Sequence, residues 1–326
     1  MKKKRILIKY GGNAMTSDEL KKEIAAIITQ ISKAGVEVVL VHGGGPFINK
    51  ALEAAGIVSE FFDGQRHTTA EALVHIEKAL KGEVNSTLVG LLNRTGLRAV
   101  GLSGKDGLMV TAEKRWHTRI GDGNQVGNAD ENAGGKEGEI EDDNKGGNGD
   151  DNGGVTESGI EGGNKSGNGD DNAGEKEVRI DLGQVGNVIS VDPLLINLML
   201  SNGYIPVIAC IASDAAGNDY NINADMLAGH IAAALTVDQY IVLTDVDGLF
   251  RNFPDPGSLI REIGLSELPR LYRDVVRGGM IPKVQSCEIA LKGGVGRAVM
   301  LNGTKPAQIR ELVLENGTPG TVILIK

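Results

Sequence analysis

Two glycine clusters stand where they could do chemistry. Gly11-Gly12 follows the apolar run ending at Tyr10, and Gly43-Gly44-Gly45 follows the run ending at His42, with Pro46 placed to open a helix. A glycine loop between a strand and a helix exposes backbone N–H groups. The helix dipole adds positive potential there, and the missing side chains let an anion approach closely. Such loops offer phosphate or carboxylate binding, although a pair of tight turns would use the same glycines. Neither cluster is a P-loop. No Gly-x-x-x-x-Gly-Lys-Ser/Thr occurs, and the stretch from Gly101 to Gly107 lacks a hydroxyl after Lys105. A different phosphate-binding scheme is required.

The elements that must hold these loops are read from apolar patterning. Runs near 5–9, 37–42, 97–102, 205–211, 240–244, 297–301 and 321–325 are continuously apolar, as suits strands buried on both faces. Between the first two, Thr16 and Glu19 have capping-box spacing, and Leu20, Ile24, Ile27, Ile28 and Ile31 form a helical stripe ending near Gly35. Strand, helix, strand repeats predict an α/β fold: a three-layer αβα sandwich with a mostly parallel central sheet.

The formal charge of -9 is concentrated in one segment. Residues 120–179 hold 16 Asp plus Glu against 5 Lys plus Arg, whereas the rest holds 27 acids and 29 bases. A near-neutral body with an acidic insertion argues against nucleic-acid binding, which needs a basic face. No apolar stretch approaches the roughly 18 residues of a membrane span. The basic start, Met1 to Arg5, is followed by only Ile6, Leu7 and Ile8 before Lys9, which reads as a strand and not as an export signal. Cys210 and Cys287 have no nearby His or Cys to make a metal site. Buried reduced thiols, and a soluble cytoplasmic protein, are the expectation.

The acidic segment is three units of 20 residues starting at Ile120, Ile140 and Ile160, identical at 8 positions, which marks an expanded tandem repeat. It has no aromatic residue and few large apolar ones, a composition expected to stay disordered. A calcium-binding β-roll fits poorly, since Gly153 and Ala173 stand where that motif needs a large apolar residue. EF-hand spacing is absent too. Without the insertion, runs 108–113 and 184–191 would pair as a hairpin.

Six ordered motifs then carry a resemblance. Ile8-Lys9-Tyr10-Gly11-Gly12, Val41-His42-Gly43-Gly44-Gly45-Pro46, Gly64-Gln65-Arg66-His67-Thr68, Asn221-Ile222-Asn223-Ala224-Asp225, Thr244-Asp245-Val246-Asp247-Gly248 and Gly278-Gly279-Met280-Ile281-Pro282-Lys283 resemble the acetylglutamate kinase family, within the amino acid kinase superfamily. The resemblance covers essentially everything outside the insertion. His67 departs from the usual Val or Tyr, and Ala298-Val299-Met300-Leu301 replaces a common His-containing run; neither touches an assigned position.

The resemblance implies phosphoryl transfer from ATP, with Mg²⁺ held mainly by the nucleotide phosphates and no protein metal site, to the side-chain carboxylate of N-acetyl-L-glutamate in arginine biosynthesis. Its positions map as follows. Lys9 and Lys283 would neutralise the transferring phosphoryl and leaving oxygens, Asp225 would orient both, and Gly12 and Gly45 would donate N–H bonds. Arg66 would grip the α-carboxylate, with Asn221 and the Gly44 and Gly45 backbone orienting the rest. Asp245, Val246, Asp247, Gly248, Leu249 and Phe250, with Val275, Val276 and Arg277, would line the nucleotide site, although Asp245 and Asp247 also suit a polar turn. Arginine-inhibited members of the family carry an extra helix ahead of the first strand, whereas here that strand begins by about Arg5, so a homodimer with little arginine inhibition is the expectation, with a substrate-binding part at about 1–211 and a nucleotide-binding part at about 212–326. A carrier-protein-linked aminoadipate or glutamate kinase and a non-catalytic amino-acid sensor are the competing readings. The acidic repeat would repel the first one's acidic carrier. The complete phosphoryl-transfer set argues against the second.

Overall fold

The computed structural model describes residues 3–62, 64–121 and 176–326. The expectation about the repeat therefore falls mostly outside the described residues. The chain divides into one unit of Met1–His117 with Ile180–Lys326 and another of Thr118–Arg179; the elements below matter chiefly for the first.

Strands β1 (Arg5–Tyr10), β2 (Glu37–His42), β3 (Phe61–Phe62), β4 (Gln65–Arg66), β5 (Ala99–Ser103), β6 (Val110–Gly121), β7 (Lys176–Val191), β8 (Ile205–Ala209), β9 (Ile211–Ser213), β10 (Asp219–Ile222), β11 (Gln239–Thr244), β12 (Glu262–Gly264), β13 (Arg297–Asn302) and β14 (Thr321–Leu324) alternate with helices. The helices are α1 (Asp18–Lys33), α2 (Gly45–Ala54), α3 (Ala70–Glu77), α4 (Ser86–Arg94), α5 (Leu194–Ser201), α6 (Ala224–Leu235), α7 (Leu268–Asp274), α8 (Met280–Lys292) and α9 (Ala307–Leu314). A π-helical stretch, Lys78–Asn85, joins α3 to α4.

Eight strands form the main sheet in the order β12-β14-β13-β11-β1-β2-β8-β5. The β13–β14 pair is antiparallel and the other neighbours run parallel. The expected αβα layering follows from strand alternation. Leu7, Val39 and Val41 pack into one core, whereas Ile6, Ile8, Val38 and Leu40 pack into another, so both sheet faces are covered. Helix α1 buries Ile24, Ile27, Ile28 and Ile31 of the predicted stripe, together with Ala25, in the second core, and Leu20 packs partly buried against it.

Two expectations need correction. The α1 cap is Ser17, whose hydroxyl accepts from the Leu20 N–H at 3.3 Å, and not Thr16, because the helix starts at Asp18 and places Leu20 at its third position. The run 205–211 breaks at Cys210, whose carbonyl accepts from the Ile222 N–H at 3.0 Å, so the chain leaves the sheet and continues as β9. The runs expected to form a hairpin do pair, as β6 and β7, within a closed barrel, β10-β7-β6-β9. Among the described residues no helix is long and apolar enough to cross a membrane. Cys210 and Cys287 are free and buried, and burial pushes the Cys210 thiol up to about 12.

The cap gives a direct check: Ser17→Ala should lower unfolding free energy by about 1 kcal/mol, read as a shifted urea midpoint with an unchanged slope. No shift would remove Ser17 from that role.

Candidate active site

Strand β1 lies between β2, which follows it through α1, and β11, beyond which lie β13 and β14. In open α/β sheets the ligand crevice forms outside the carboxyl ends of strands where the strand order reverses. The loops at 11–12, 43–45 and 245–248 leave β1, β2 and β11 at that end.

Lys9, next to last in β1, shares by alternation the face of Leu7, whose core includes Leu227, Ala228 and Ile231 of α6 and Val284 of α8. Asp225 is the second residue of α6, where Asn223 Oδ1 caps the helix by accepting from the N–H groups of Asp225 and Met226. Lys283 lies in the first turn of α8, where Pro282 is tolerated because the first N–H groups have no helical acceptor. These elements bring Lys9 Nζ to 2.8 Å from Asp225 Oδ1 and Lys283 Nζ to 3.1 Å from Asp225 Oδ2.

Lys9 and Asp225 are each only 5% exposed, so their charges decide the local chemistry. Burial disfavours an ionised carboxyl, but the Lys9 and Lys283 ammonium groups outweigh it and hold Asp225 below the ordinary carboxylate range. Burial, then the charge of Lys9, lowers Lys283 from the ordinary lysine range, against the opposing pull of Asp225 and Asp245.

Helices α6 and α8 can approach because residue 229 is glycine. A Cβ there would lie 2.6 Å from the Ser286 carbonyl oxygen and 3.0 Å from its Cα. The Ser286 hydroxyl donates to the Lys283 carbonyl at 2.7 Å and accepts from the fully buried Tyr240 hydroxyl of β11 at 3.0 Å. Sequence reasoning missed this bracing, because nothing in the spacing of Gly229, Tyr240 and Ser286 signals it.

Gly12 has φ +73° and a Cβ on it would fall 2.7 Å from Asp245 Oδ1, so backbone conformation and close approach both demand glycine. Gly44 precedes α2, with Gly45 and Pro46 opening it as expected.

The predicted acceptor residues form a second group. Arg66, half-buried on β4, donates to Ser59 Oγ and Asn49 Oδ1 and stacks over the Phe61 ring with 4.5 Å to its centroid. Burial lowers its pKa. Asn221 Nδ2 donates to Thr68 Oγ1 at 3.5 Å, and Thr68 Oγ1 donates to the Arg66 carbonyl at 3.3 Å. Thr68 is in turn held by the backbone of β7: its N–H donates to the Leu182 carbonyl at 3.0 Å and its carbonyl accepts from the Gln184 N–H at 2.6 Å. That support for the Arg66 loop also went unread in the sequence.

A cavity of about 340 Å³ opens beside Lys283. Asp245, Val246, Gly248, Leu249, Phe250, Val275 and Arg277, all among the residues singled out for a nucleotide site, line it. Two predicted residues do not. Val276 is buried in the core, and Asp247 turns away to Lys305 Nζ, at 2.7 Å, and Asn302 Nδ2, at 2.8 Å. Thr244, Phe253, Gly279 and Met280 complete the lining without having been singled out for it. Among the described residues no three His, Cys, Asp or Glu side chains gather to hold a metal ion.

The amino acid kinase family model matches residues 4–302. An acetylglutamate kinase from Archaeoglobus fulgidus is 38% identical over 320 residues, spanning 98% of this chain and 92% of its own length. The chain belongs to the amino acid kinase family. A chloroplastic acetylglutamate kinase from Arabidopsis thaliana is 36% identical over 98% of this chain and 75% of its own. An N-acetylglutamate synthase from Neisseria gonorrhoeae, solved with coenzyme A and N-acetyl-glutamate, shares the fold at a TM-score of 0.69 and 19% identity, over 99% of this chain and 60% of that one. The family membership implied by the six motifs is thus established.

In this amino acid kinase, Asp225→Asn would leave the ammonium groups of buried Lys9 and partly buried Lys283 without their shared carboxylate, and should cost about 3–5 kcal/mol of stability. Because the folded carboxyl pKa is depressed, the stabilisation is fully present above the ordinary value of 3.8 and is lost as pH falls through the lower folded value. Urea unfolding of parent and variant should therefore differ steadily from pH 8 to pH 5 and converge only below about pH 4. Convergence already at pH 6 would contradict an ionised, doubly paired Asp225.

Proposed function

We propose that the protein transfers the γ-phosphoryl group of ATP to the side-chain carboxylate of N-acetyl-L-glutamate, giving N-acetyl-L-glutamyl 5-phosphate, as a step of arginine biosynthesis. The observation that carries this reading is the pair of ammonium groups of buried Lys9 and partly buried Lys283, held by one carboxylate beside the 340 Å³ cavity. Full-length similarity to acetylglutamate kinases supplies the acceptor.

A carboxylate acceptor is already ionised at neutral pH, so the reaction needs no general base. Charge control is the task. Lys9 and Lys283 would offset the charge on the transferring phosphoryl and leaving oxygens, while Gly12, Gly44 and Gly45 would donate backbone N–H bonds. Mg²⁺ would ride on the nucleotide phosphates and supply charge neutralisation there. Arg66 suits the acceptor's α-carboxylate because its partners among the described residues, Ser59, Asn49 and the Phe61 ring, are neutral and leave its charge uncompensated. Asn221 would orient the remainder. The part before about residue 211 would supply most of the acceptor site and residues 212–326 most of the nucleotide site. A cytoplasmic homodimer is the assembly proposed with this function.

Lys9→Met and Lys283→Met should each lower kcat about 10²- to 10³-fold in a coupled ADP assay, with smaller changes in either KM. Near-parent turnover in either variant would end this mechanism. Arg66→Lys should instead raise the KM for N-acetylglutamate about tenfold at similar kcat, since an ammonium cannot reproduce the planar fork; an unchanged KM would reassign the acceptor clamp.

All proposed site residues lie in the unit Met1–His117 with Ile180–Lys326. Deleting residues 120–179 while keeping Leu182–Gln184 against Thr68 should therefore leave kcat and both KM values within about threefold. Loss of turnover in a folded deletion variant would make the segment part of the functional machinery.

A further inference from the structure

His42 ends β2 and is completely buried, yet no role proposed above uses it. Its Nδ1 lies 2.9 Å from the Gly43 carbonyl oxygen, and its Nε2 lies 2.8 Å from Asn85 Nδ2. Asn85 Nδ2 also lies 2.9 Å from the Val207 carbonyl oxygen. These contacts fix the protons. A carbonyl can only accept, so Nδ1 carries the hydrogen, and the amide nitrogen that donates to Val207 must also donate to Nε2. The ring is a neutral Nδ1–H tautomer. Burial agrees, lowering its pKa to about 4 against the opposing Gly43 hydrogen bond.

Asn85 reaches this place as the last residue of the π-helical stretch Lys78–Asn85, a geometry that is rare and often found at functional sites. The same stretch sets Leu80 and Val84 against Gly44, where a Cβ would come within 2.7 Å of Leu80 Cδ2. Gly101 of β5 makes room on the other side, since a Cβ there would lie 2.0 Å from Asn85 Oδ1.

A trans peptide is planar, with its C=O and following N–H pointing in opposite directions. The Gly43 N–H donates to the Tyr10 carbonyl at 3.1 Å and the Gly44 carbonyl accepts from the Ile48 N–H at 2.9 Å, so the peptides on either side are held; holding the Gly43 carbonyl toward His42 then fixes the direction of the Gly44 N–H between them. We infer that His42, oriented by Asn85, is a positioning residue: it pins the Gly43 carbonyl and so aims the Gly44 amide at the reacting anion. The inference rests on the proposed use of the Gly44 N–H in phosphoryl transfer.

Two substitutions separate the pin from packing. In His42→Asn the side-chain amide nitrogen takes the place of Nδ1 and keeps the bond to Gly43. In His42→Gln it takes the place of Nε2 and loses that bond. Both shrink a buried ring, so both should lower the thermal midpoint. Measured well below either midpoint, His42→Asn should keep kcat within about fivefold, while His42→Gln should lose about thirtyfold, with both KM values within about threefold. Equal losses in the two variants would reduce His42 to packing. A second readout needs no acceptor. With 15N-labelled histidine in the parent protein, the His42 signal, identified by its absence from His42→Gln, should show the Nδ1–H tautomer at pH 7. An Nε2–H tautomer would overturn the pin. If the parent shows no turnover with N-acetylglutamate, the substrate reading fails, and the tautomer spectrum still decides the pin.

Discussion

Asp225 stays ionised where water scarcely reaches it, and Lys9 and Lys283 are what allow it to do so. Removing such charges from water costs several kcal/mol per ion, and their mutual attraction offsets this only with good geometry. Three separate elements must therefore meet to within a few tenths of an ångström: the end of β1, the start of α6 and the start of α8. The glycine at 229 and the hydrogen-bonded line from Tyr240 through Ser286 to the Lys283 carbonyl serve that requirement. A buried ionic triad adds little to stability compared with an apolar cluster of the same size. Its presence at the carboxyl ends of the strands points to chemistry.

The charge count of the site explains its direction. Two ammonium groups share one carboxylate, and the strain of that imbalance falls on Lys283, which burial and Lys9 together lower. An arriving polyphosphate would relieve it. Arg66 repeats the pattern at the other group, with a half-buried guanidinium set among neutral partners. Each cation is thus left short of full compensation, which suits the proposed transfer between two anions without any proton being moved.

Backbone donors need the same control as side chains. Glycine allows an anion to come close but leaves the peptide free to turn. The π-helical stretch from Lys78 to Asn85 restrains the second glycine loop through Leu80, Val84 and the buried His42. The first loop is restrained by Asp245 against Gly12. Around Arg66, the proposed acceptor clamp, β7 fulfils a related task by holding Thr68 and, through it, the Arg66 carbonyl and Asn221.

The sequence by itself determined the parallel sheet, the two glycine loops, and the family through six motifs in order. These are local properties: continuous apolar runs, a 3.6-residue stripe and loop composition are read within a few residues of one another. It also placed Lys9, Asp225 and Lys283 on one list by resemblance. Only the tertiary structure decided that they touch, that Asp247 faces Lys305 while its neighbours line the cavity, and that Val276 belongs to the core. Side-chain direction after a turn depends on what packs behind it, and no spacing rule carries that information. The strand break at Cys210 and the bracing by Gly229, Tyr240, Ser286, His42 and Asn85 have the same cause. Each depends on a hydrogen bond or a close approach between elements distant in the chain, and such contacts exist only once the sheet has brought those elements together.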